Sequence, residues 1–353
     1  MDIFAKIIRG MKYKPLLCRE LNTFDIDDID KGLSGEATFI LNSGRQNQIV
    51  LSWWVSPKRT RSYPYARVYD SLNFTGKKVT IIPIFKDEGF EGDRDFLQWD
   101  TVSLMSLMGV YVILSYYKEA VPSSRYARKI TRQRFDTVQI RDEINNLLSY
   151  QSDALHWNLS QIDKAGQIGQ RALQSYDKIS RNLRIKMHSR ESAEKRIEKL
   201  LEDKNVFMNL SRELAEKAQK RESITKQPKE KLSGIKATLT IKNYLGGLYY
   251  FTVDEFEIKG NNFYLIEGKH TKDKNLPSLN DIKDGLLKMI LFTNLEDVKV
   301  GNKDYIPVPI LKLTTKQGFR LEFLNEQQNK FLDLLRREAK INNFRILING
   351  KEI

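Results

Sequence analysis

One cysteine and three histidines are all that the 353 residues hold of those two types. A lone Cys18 excludes an internal disulfide and a cysteine zinc cage, and it reads as a small core residue. His156, His188 and His270 lie far apart in sequence, which gives little basis for a multi-histidine metal site. No run reaches the roughly 18 unbroken apolar residues of a membrane span. The nearest, TVSLMSLMGVYVILSYY (101–117), sits between Asp100 and Lys118 and reads as a buried helix. The opening MDIFAKIIRGMKYK lacks a long apolar stretch and a small-residue cleavage site, so a cytoplasmic location is expected. Neither GxxxxGK[ST] nor GxGxxG occurs, so no nucleotide cofactor is expected.

What is present is a core and a surplus of positive charge. Hydrophobic residues make up 41% of the chain, enough to rule out wholesale disorder. Lys and Arg total 59 against 45 Asp and Glu, a net charge of +14. That surplus points to a polyanionic partner, nucleic acid or an acidic membrane surface. No basic amphipathic anchor with exposed Trp stands out, which argues against the membrane.

Three regions differ in character. Residues 1–120 read as a mixed α/β region that contacts DNA, with strands in GEATFILN (35–42), NQIVLSWWVS (47–56) and KVTIIPIF (78–85). Residues 121–234 hold 24 Lys and Arg against 15 Asp and Glu, so 9 of the net +14 charges fall there. Helix formers dominate this segment, which reads as a basic helical arm for DNA grip or dimerisation, closing on a linker at QPKEKLSG (227–234). From 235 to 353 the pattern is strands at 235–242, 247–258 and 262–270, then a helix at 278–294 with Ser278 as N-cap. A strand broken by prolines (304–314), a helix (325–341) and a last strand (344–349) follow. The predicted class is mixed α/β, with a mixed sheet flanked by helices in the C-terminal part.

The candidate chemistry lies in the C-terminal hairpin. Four Glu-x-Lys spacings occur: Glu202/Lys204, Glu257/Lys259, Glu267/Lys269 and Glu338/Lys340. Only Glu267/Lys269 ends an apolar strand, where residues two apart share a face. The turn at Lys259-Gly260-Asn261-Asn262, closed with two or four residues, puts Asp254 directly opposite Glu267. Opposed Cβ atoms lie about 4.5–5.5 Å apart. Two carboxylates held that close repel unless a positive charge sits between them. A divalent cation fits, with Lys269 beside it. The alternative is a Lys-neutralised cross-strand pair on an exposed sheet face. Glu255 and Glu257 crowd the same strand; in this register Glu255 faces away from Glu267 unless a bulge intervenes.

Asp254 followed by Glu267-Gly268-Lys269 on an apolar strand resembles the PD-(D/E)xK nuclease signature. The stretch EGKHTKDKNLPSLNDIKDGLLKMILFTN is similar to type II restriction endonucleases of that superfamily, in which a helix follows the catalytic strand. The resemblance covers 235–350, about a third of the chain. Val253 stands where the motif's name has proline. The likeness implies a restriction-endonuclease-like core and Mg²⁺-dependent hydrolysis of double-stranded DNA at a specific sequence by a homodimer. By position it makes Asp254 and Glu267 the metal ligands and Lys269 the water-orienting or charge-stabilising group. Some relatives add a glutamate from a preceding helix, for which Glu213 and Glu216 are candidates. A repair or nonspecific defence nuclease with the same site, and a non-catalytic basic DNA-binding protein, are the rival readings.

For the DNA itself, PKRTRSYPYAR (57–67) offers Lys58, Arg59, Arg61 and Arg67 to phosphates and Tyr63 and Tyr65 for stacking. SRYARKITRQR (124–134) offers Arg125, Arg128, Lys129, Arg132 and Arg134, several on one face if the segment is helical. The acidic stretch EGFEGDRDFLQWD (88–100), with Glu91, Asp93, Asp95 and Asp100, lacks a calcium-loop pattern. It reads as a loop leading into an acidic first helical turn.

Overall fold

A computed structural model describes residues 2–8, 10–44, 47–201, 235–243, 248–272, 275–316 and 319–353. The chain divides into two compact units, one of Met1–Arg19 with Arg212–Ile353 and one of Glu20–Ser211. Both mix helices with sheets, as the alternating strand and helix patterns predict. No helix among the described residues is long and apolar enough to cross a membrane.

The chain opens on β1 (Asp2–Ile7), whose alternate residues Ile3, Ala5 and Ile7 are buried. It then enters the other unit with β2 (Thr23–Asp25), α1 (Ile29–Gly35), β3 (Thr38–Asn42), β4 (Gln48–Trp53), α2 (Pro64–Tyr69) and β5 (Lys77–Pro83). The short β6 (Phe85–Asp87) and β7 (Arg94–Phe96) pair with each other, and α3 (Trp99–Leu107) leads into β8 (Val110–Ser115). A hairpin of β9 (Tyr117–Pro122) and β10 (Ile130–Phe135) precedes three helices, α4 (Thr137–Leu148), α5 (Ala154–Leu183) and α6 (Arg190–Leu201).

The main sheet of this unit runs β2-β3-β4-β5-β8. Its β8 end is an edge that α5 covers. Asn158 Oδ1 accepts from Val112 N at 2.7 Å, Gln161 Oε1 accepts from Leu114 N at 3.1 Å, and Trp157 Nε1 donates to Val112 O at 2.7 Å. Helix side chains thus take the hydrogen bonds a further strand would have made, and an open edge is blunted.

Three sequence expectations are corrected here. The run 101–117 is not one helix. Gly109, at φ +65°, stops α3, and the β-branched and aromatic Val110-Tyr111-Val112-Ile113 continues as a largely buried strand. The segment 124–134 is not helical but the turn and second strand of the β9–β10 hairpin. Cys18 is half-buried rather than a core residue. The partition also differs from the expected divisions. Residues 1–19 belong with the C-terminal part because β1 pairs in parallel with the strand at 235–243, and residue 120 falls inside β9. The linker expected at 227–234 lies outside the described residues, as do Glu213 and Glu216.

The C-terminal unit resumes with β11 (Ile235–Asn243), β12 (Leu248–Lys259) and β13 (Asn262–Thr271), an antiparallel meander. Then come α7 (Leu279–Phe292), β14 (Glu296–Val300), β15 (Lys303–Thr315), α8 (Glu326–Asn342), β16 (Arg345–Ile348) and the short β17 (Lys351–Glu352). β13, β15 and β16 are parallel neighbours. β1 joins β11 to β14, and β15 pairs with both β14 and β13, so six strands form a closed hydrogen-bonded circuit. β15 is not broken by its prolines. Ile306 N donates to Asn261 O across the β13 edge, so the N–H positions of residues 307 and 309 face the other edge. Residues 306–309 pair there with neither β14 nor β16, and Pro307 and Pro309 lose no ladder bond.

Candidate functional site

The β12–β13 hairpin turns on Gly260, whose φ of +61° a side chain would resist. Lys259 pairs with Asn262 and Glu255 with Ile266, the register read from the sequence. One step further, where the ladder ends, the Asp254 side chain hydrogen-bonds with Glu267. Here β12 departs from regularity. Against β11, Phe256 pairs with Ile235 but Val253 pairs with Ala237, so Asp254 and Glu255 together oppose one residue. That is a bulge, and bulges re-aim side chains. The Asp254 carboxylate turns toward β13 and accepts from Gly268 N at 3.2 Å. Glu255 goes to the other face and meets Lys312 at 2.6 Å.

Asp254, Glu267 and Lys269 therefore converge. Lys269 Nζ lies 3.0 Å from Glu267 Oε1. Two further groups join them from α7, and the sequence reading missed both. Lys288 Nζ lies 2.6 Å from Glu267 Oε2 and 3.9 Å from Asp254 Oδ1, and Asp284 Oδ2 lies 3.4 Å from Lys269 Nζ. α7 is set by a capping box between Ser278 and Asp281. It comes close because residue 285 is glycine; a Cβ there would lie 2.8 Å from Leu311 Cδ1 and 3.2 Å from Lys269 Cε. Asp284 and Lys288, four apart, share the helix face turned to β13. That spacing, after a Glu-x-Lys strand, is the one signal in sequence that could have found them.

Burial is graded across the site. Glu267 is 1% exposed, whereas the Asp254 side chain keeps 30% of its surface. Burial pushes the Glu267 carboxyl up, and Asp254 adds to this; Lys288 and Lys269 pull back without cancelling it. For Asp254 burial works upward too, but Lys288, a hydrogen bond with Glu267, Lys269 and the Gly268 amide outweigh it and hold the group below the ordinary range. Burial opposes the charge on Lys269, yet Glu267 and Asp284 more than offset this and its pKa is raised. Three carboxylates thus meet two ammonium groups, a net negative balance.

Among the described residues no three His, Cys, Asp or Glu side chains gather as a metal cage. The donor set is instead two facing carboxylates, one of them open to solvent. Mg²⁺ suits such a site, since it is commonly held by one or two carboxylates and completes its shell with water and phosphate. The histidines take no part: His156 pairs with Asp153, His188 with Asp87, and His270 with Thr314.

The expected DNA-binding residues separate into two groups. Arg61 is committed to Glu88, Asp93 and Asp95. Arg67 donates to Ser62 O and Trp53 O and lies 4.3 Å from the Trp53 ring centroid; burial lowers its pKa to about 10. Tyr65 is buried against Trp54. Arg61 and Arg67 therefore have their guanidinium groups committed within their own unit. Lys129 likewise pairs with Glu88 at 2.9 Å. Lys58 is exposed and Arg59 half-buried. Arg125, Arg128, Arg132 and Arg134 all lie exposed on the β9–β10 hairpin. In the acidic stretch, Asp93 and Asp95 serve Arg61, and Glu91 accepts from Arg128 N at 3.1 Å; the Asp100 side chain lies outside the described residues.

Comparison of the chain with protein-family models, with curated proteins and with solved structures yields no match.

Proposed function

We propose that this protein is a Mg²⁺-dependent endonuclease that cuts double-stranded DNA in the manner of a type II restriction enzyme, with its active site in the C-terminal unit. One observation carries the reading: Asp254 and Glu267 converge at the β12 bulge, where Lys288 reaches both, with Lys269 3.0 Å from Glu267. Asp254 and Glu267 would hold the metal. Bound there, Mg²⁺ polarises the phosphoryl oxygen and lowers the pKa of a water. Lys269 offsets negative charge that develops on the phosphate, and its pairing with Asp284 aims the ammonium. Burial of Glu267 keeps the inner side of the site dry, while exposure of Asp254 leaves the outer side open to a phosphate. The exposed arginines of the β9–β10 hairpin supply a grip on the DNA backbone. One site per chain cuts one strand, so scission of a duplex is assigned to a homodimer.

A second reading has an observation in its favour. Lys288 and Lys269 already pair with the carboxylates, as an inert ion-pair cluster in a DNA-binding protein would have it. The test is digestion of several plasmids with the purified chain in Mg²⁺ and in EDTA, with mapping of the ends. Discrete, reproducible fragments that need Mg²⁺ are expected. Salt-sensitive DNA binding without cleavage in Mg²⁺ or Mn²⁺ selects the second reading, and random fragments select a nonspecific nuclease.

A further inference from the structure

Lys288 sits where a metal would have to go. Its Nζ is 2.6 Å from Glu267 Oε2 and 3.9 Å from Asp254 Oδ1, so it lies between the two opposed carboxylates. Lys269 is placed differently. It meets the other Glu267 oxygen, Oε1, and its second partner is Asp284. The two lysines therefore divide the glutamate between them, and Lys288 also forms an ion pair with Asp254 at 3.9 Å. A Mg²⁺ or Mn²⁺ ion on the same carboxylate oxygens needs contacts of about 2.0–2.2 Å. An ammonium 2.6 Å from one of those oxygens would then stand a few ångströms from a divalent ion with little solvent between, since the Lys288 side chain is 13% exposed. Like charges that close repel strongly in such surroundings. Both cannot occupy the pair. The lysine can yield, because its charge rides on a flexible four-carbon stem.

We propose that Lys288 is a resident counter-ion of this site: it neutralises the Asp254–Glu267 pair in the metal-free protein and competes directly with the divalent cation for it. This rests on the nuclease reading and deepens it. Two opposite effects follow from one residue. Lys288 stabilises the metal-free fold, because a buried glutamate without a partner is costly. It also weakens metal binding, so that the metal takes the site most readily when a phosphate adds its own oxygens. Lys288 is thus a positioning residue, acting through the carboxylates it holds.

The test is calorimetric titration of the full chain with Mn²⁺ alone, comparing wild type with Lys288→Met and Lys288→Arg. Lys288→Met should bind Mn²⁺ roughly tenfold more tightly, the effect of removing one nearby like charge. Lys288→Arg, which keeps the charge, should not gain. Without metal Lys288→Met should melt earlier than wild type, and Mn²⁺ should restore most of the loss. A measurement on the wild type guards against a variant that does not fold: amine-reactive labelling read by mass spectrometry should rise at Lys288 when Ca²⁺ or Mn²⁺ is added. Mn²⁺ affinity unchanged or lower in Lys288→Met overturns the proposal, as does Lys288 labelling indifferent to metal. If the wild type still cleaves DNA in those cases, the nuclease reading stands alone. Failure of both proteins to bind Mn²⁺ overturns the two together.

Discussion

Two antiparallel hairpins carry dense charge in this chain, and they direct it oppositely. In β12–β13 both outer edges are paired, by β11 and by β15, and α7 packs against β13. Charged side chains on the covered face have little water within reach, Asp254 at the rim excepted, so Asp254, Glu267, Lys269, Asp284 and Lys288 pair with one another. In β9–β10 the two strands pair only with each other among the described strands. Tyr117, Ile130 and Phe135 anchor the ribbon, and Lys118, Glu119, Arg132 and Arg134 stay exposed. The same alternation of charged residues thus yields a preorganised cluster in one place and a solvated surface in the other. Burial of one face decides which.

The largest effect expected from breaking this contrast is on cleavage. Asp254→Ala, Lys269→Ala and Glu267→Gln should each reduce it by about 10³-fold or more. Duplex binding by gel shift should stay near the wild-type level. Glutamine is chosen at 267 because alanine would leave Lys288 unpaired beside a buried gap. Wild-type turnover in any one variant would remove that residue from the site.

Next in size is a stability effect that separates locked arginines from exposed ones. Arg67→Ala loses two hydrogen bonds to backbone carbonyls and the stack on Trp53, and should cost about 2–3 kcal/mol in urea unfolding. Arg132→Ala, on the open ribbon, should change stability by no more than about 0.5 kcal/mol. Equal losses would erase the distinction.

These contrasts were only partly legible in sequence. The register of β12–β13 was legible because a Gly-Asn turn and strict alternation leave few ways to fold back. The Ser278 cap of α7 was legible because Pro277 and the apolar run after it mark a helix start. Lys288 was not, since how a helix rotates against a strand depends on close contacts such as the one Gly285 allows. Nor was the place of β1, whose partner β11 lies more than two hundred residues away, beyond any local pattern. The commitment of Arg61 to Asp93 and Asp95 escaped notice for the same reason: a basic loop and an acidic loop look independent until the sheet brings them together.

That basic–acidic pairing sharpens the contrast through pH. Glu88 is 7% exposed and meets Lys86 at 2.8 Å and Lys129 at 2.9 Å. Burial works to raise its carboxyl, but those two lysines prevail and hold it at about 2, against an ordinary 4.5. Because the folded value is the lower one, the unfolded chain binds the proton more readily. The stabilisation is complete above pH 4.5 and is lost as pH falls from there through about 2. Urea unfolding of wild type and Glu88→Gln at several pH values should show a gap that narrows across that window. A gap of constant size from neutral pH to the acid limit would mean that the lysines do not act through the charge on Glu88.

The smallest effects belong to the ribbon. An exposed arginine that touches one DNA phosphate releases about one counter-ion, so its removal weakens binding only a few-fold at moderate salt. The slope of log affinity against log salt is the better readout. Arg125→Ala, Arg128→Ala, Arg132→Ala and Arg134→Ala should each reduce the slope by about one, and uniformly across DNA sequences if they contact the backbone alone. Arg134 should show the least, because Glu119 lies 3.8 Å away and already shares its charge. Arg61→Ala should leave the slope unchanged, since its guanidinium is held by Glu88, Asp93 and Asp95 and has no charge to lend to a phosphate. A slope that responds to Arg61 and ignores the ribbon would reverse the assignment and place the DNA against the 57–67 segment instead.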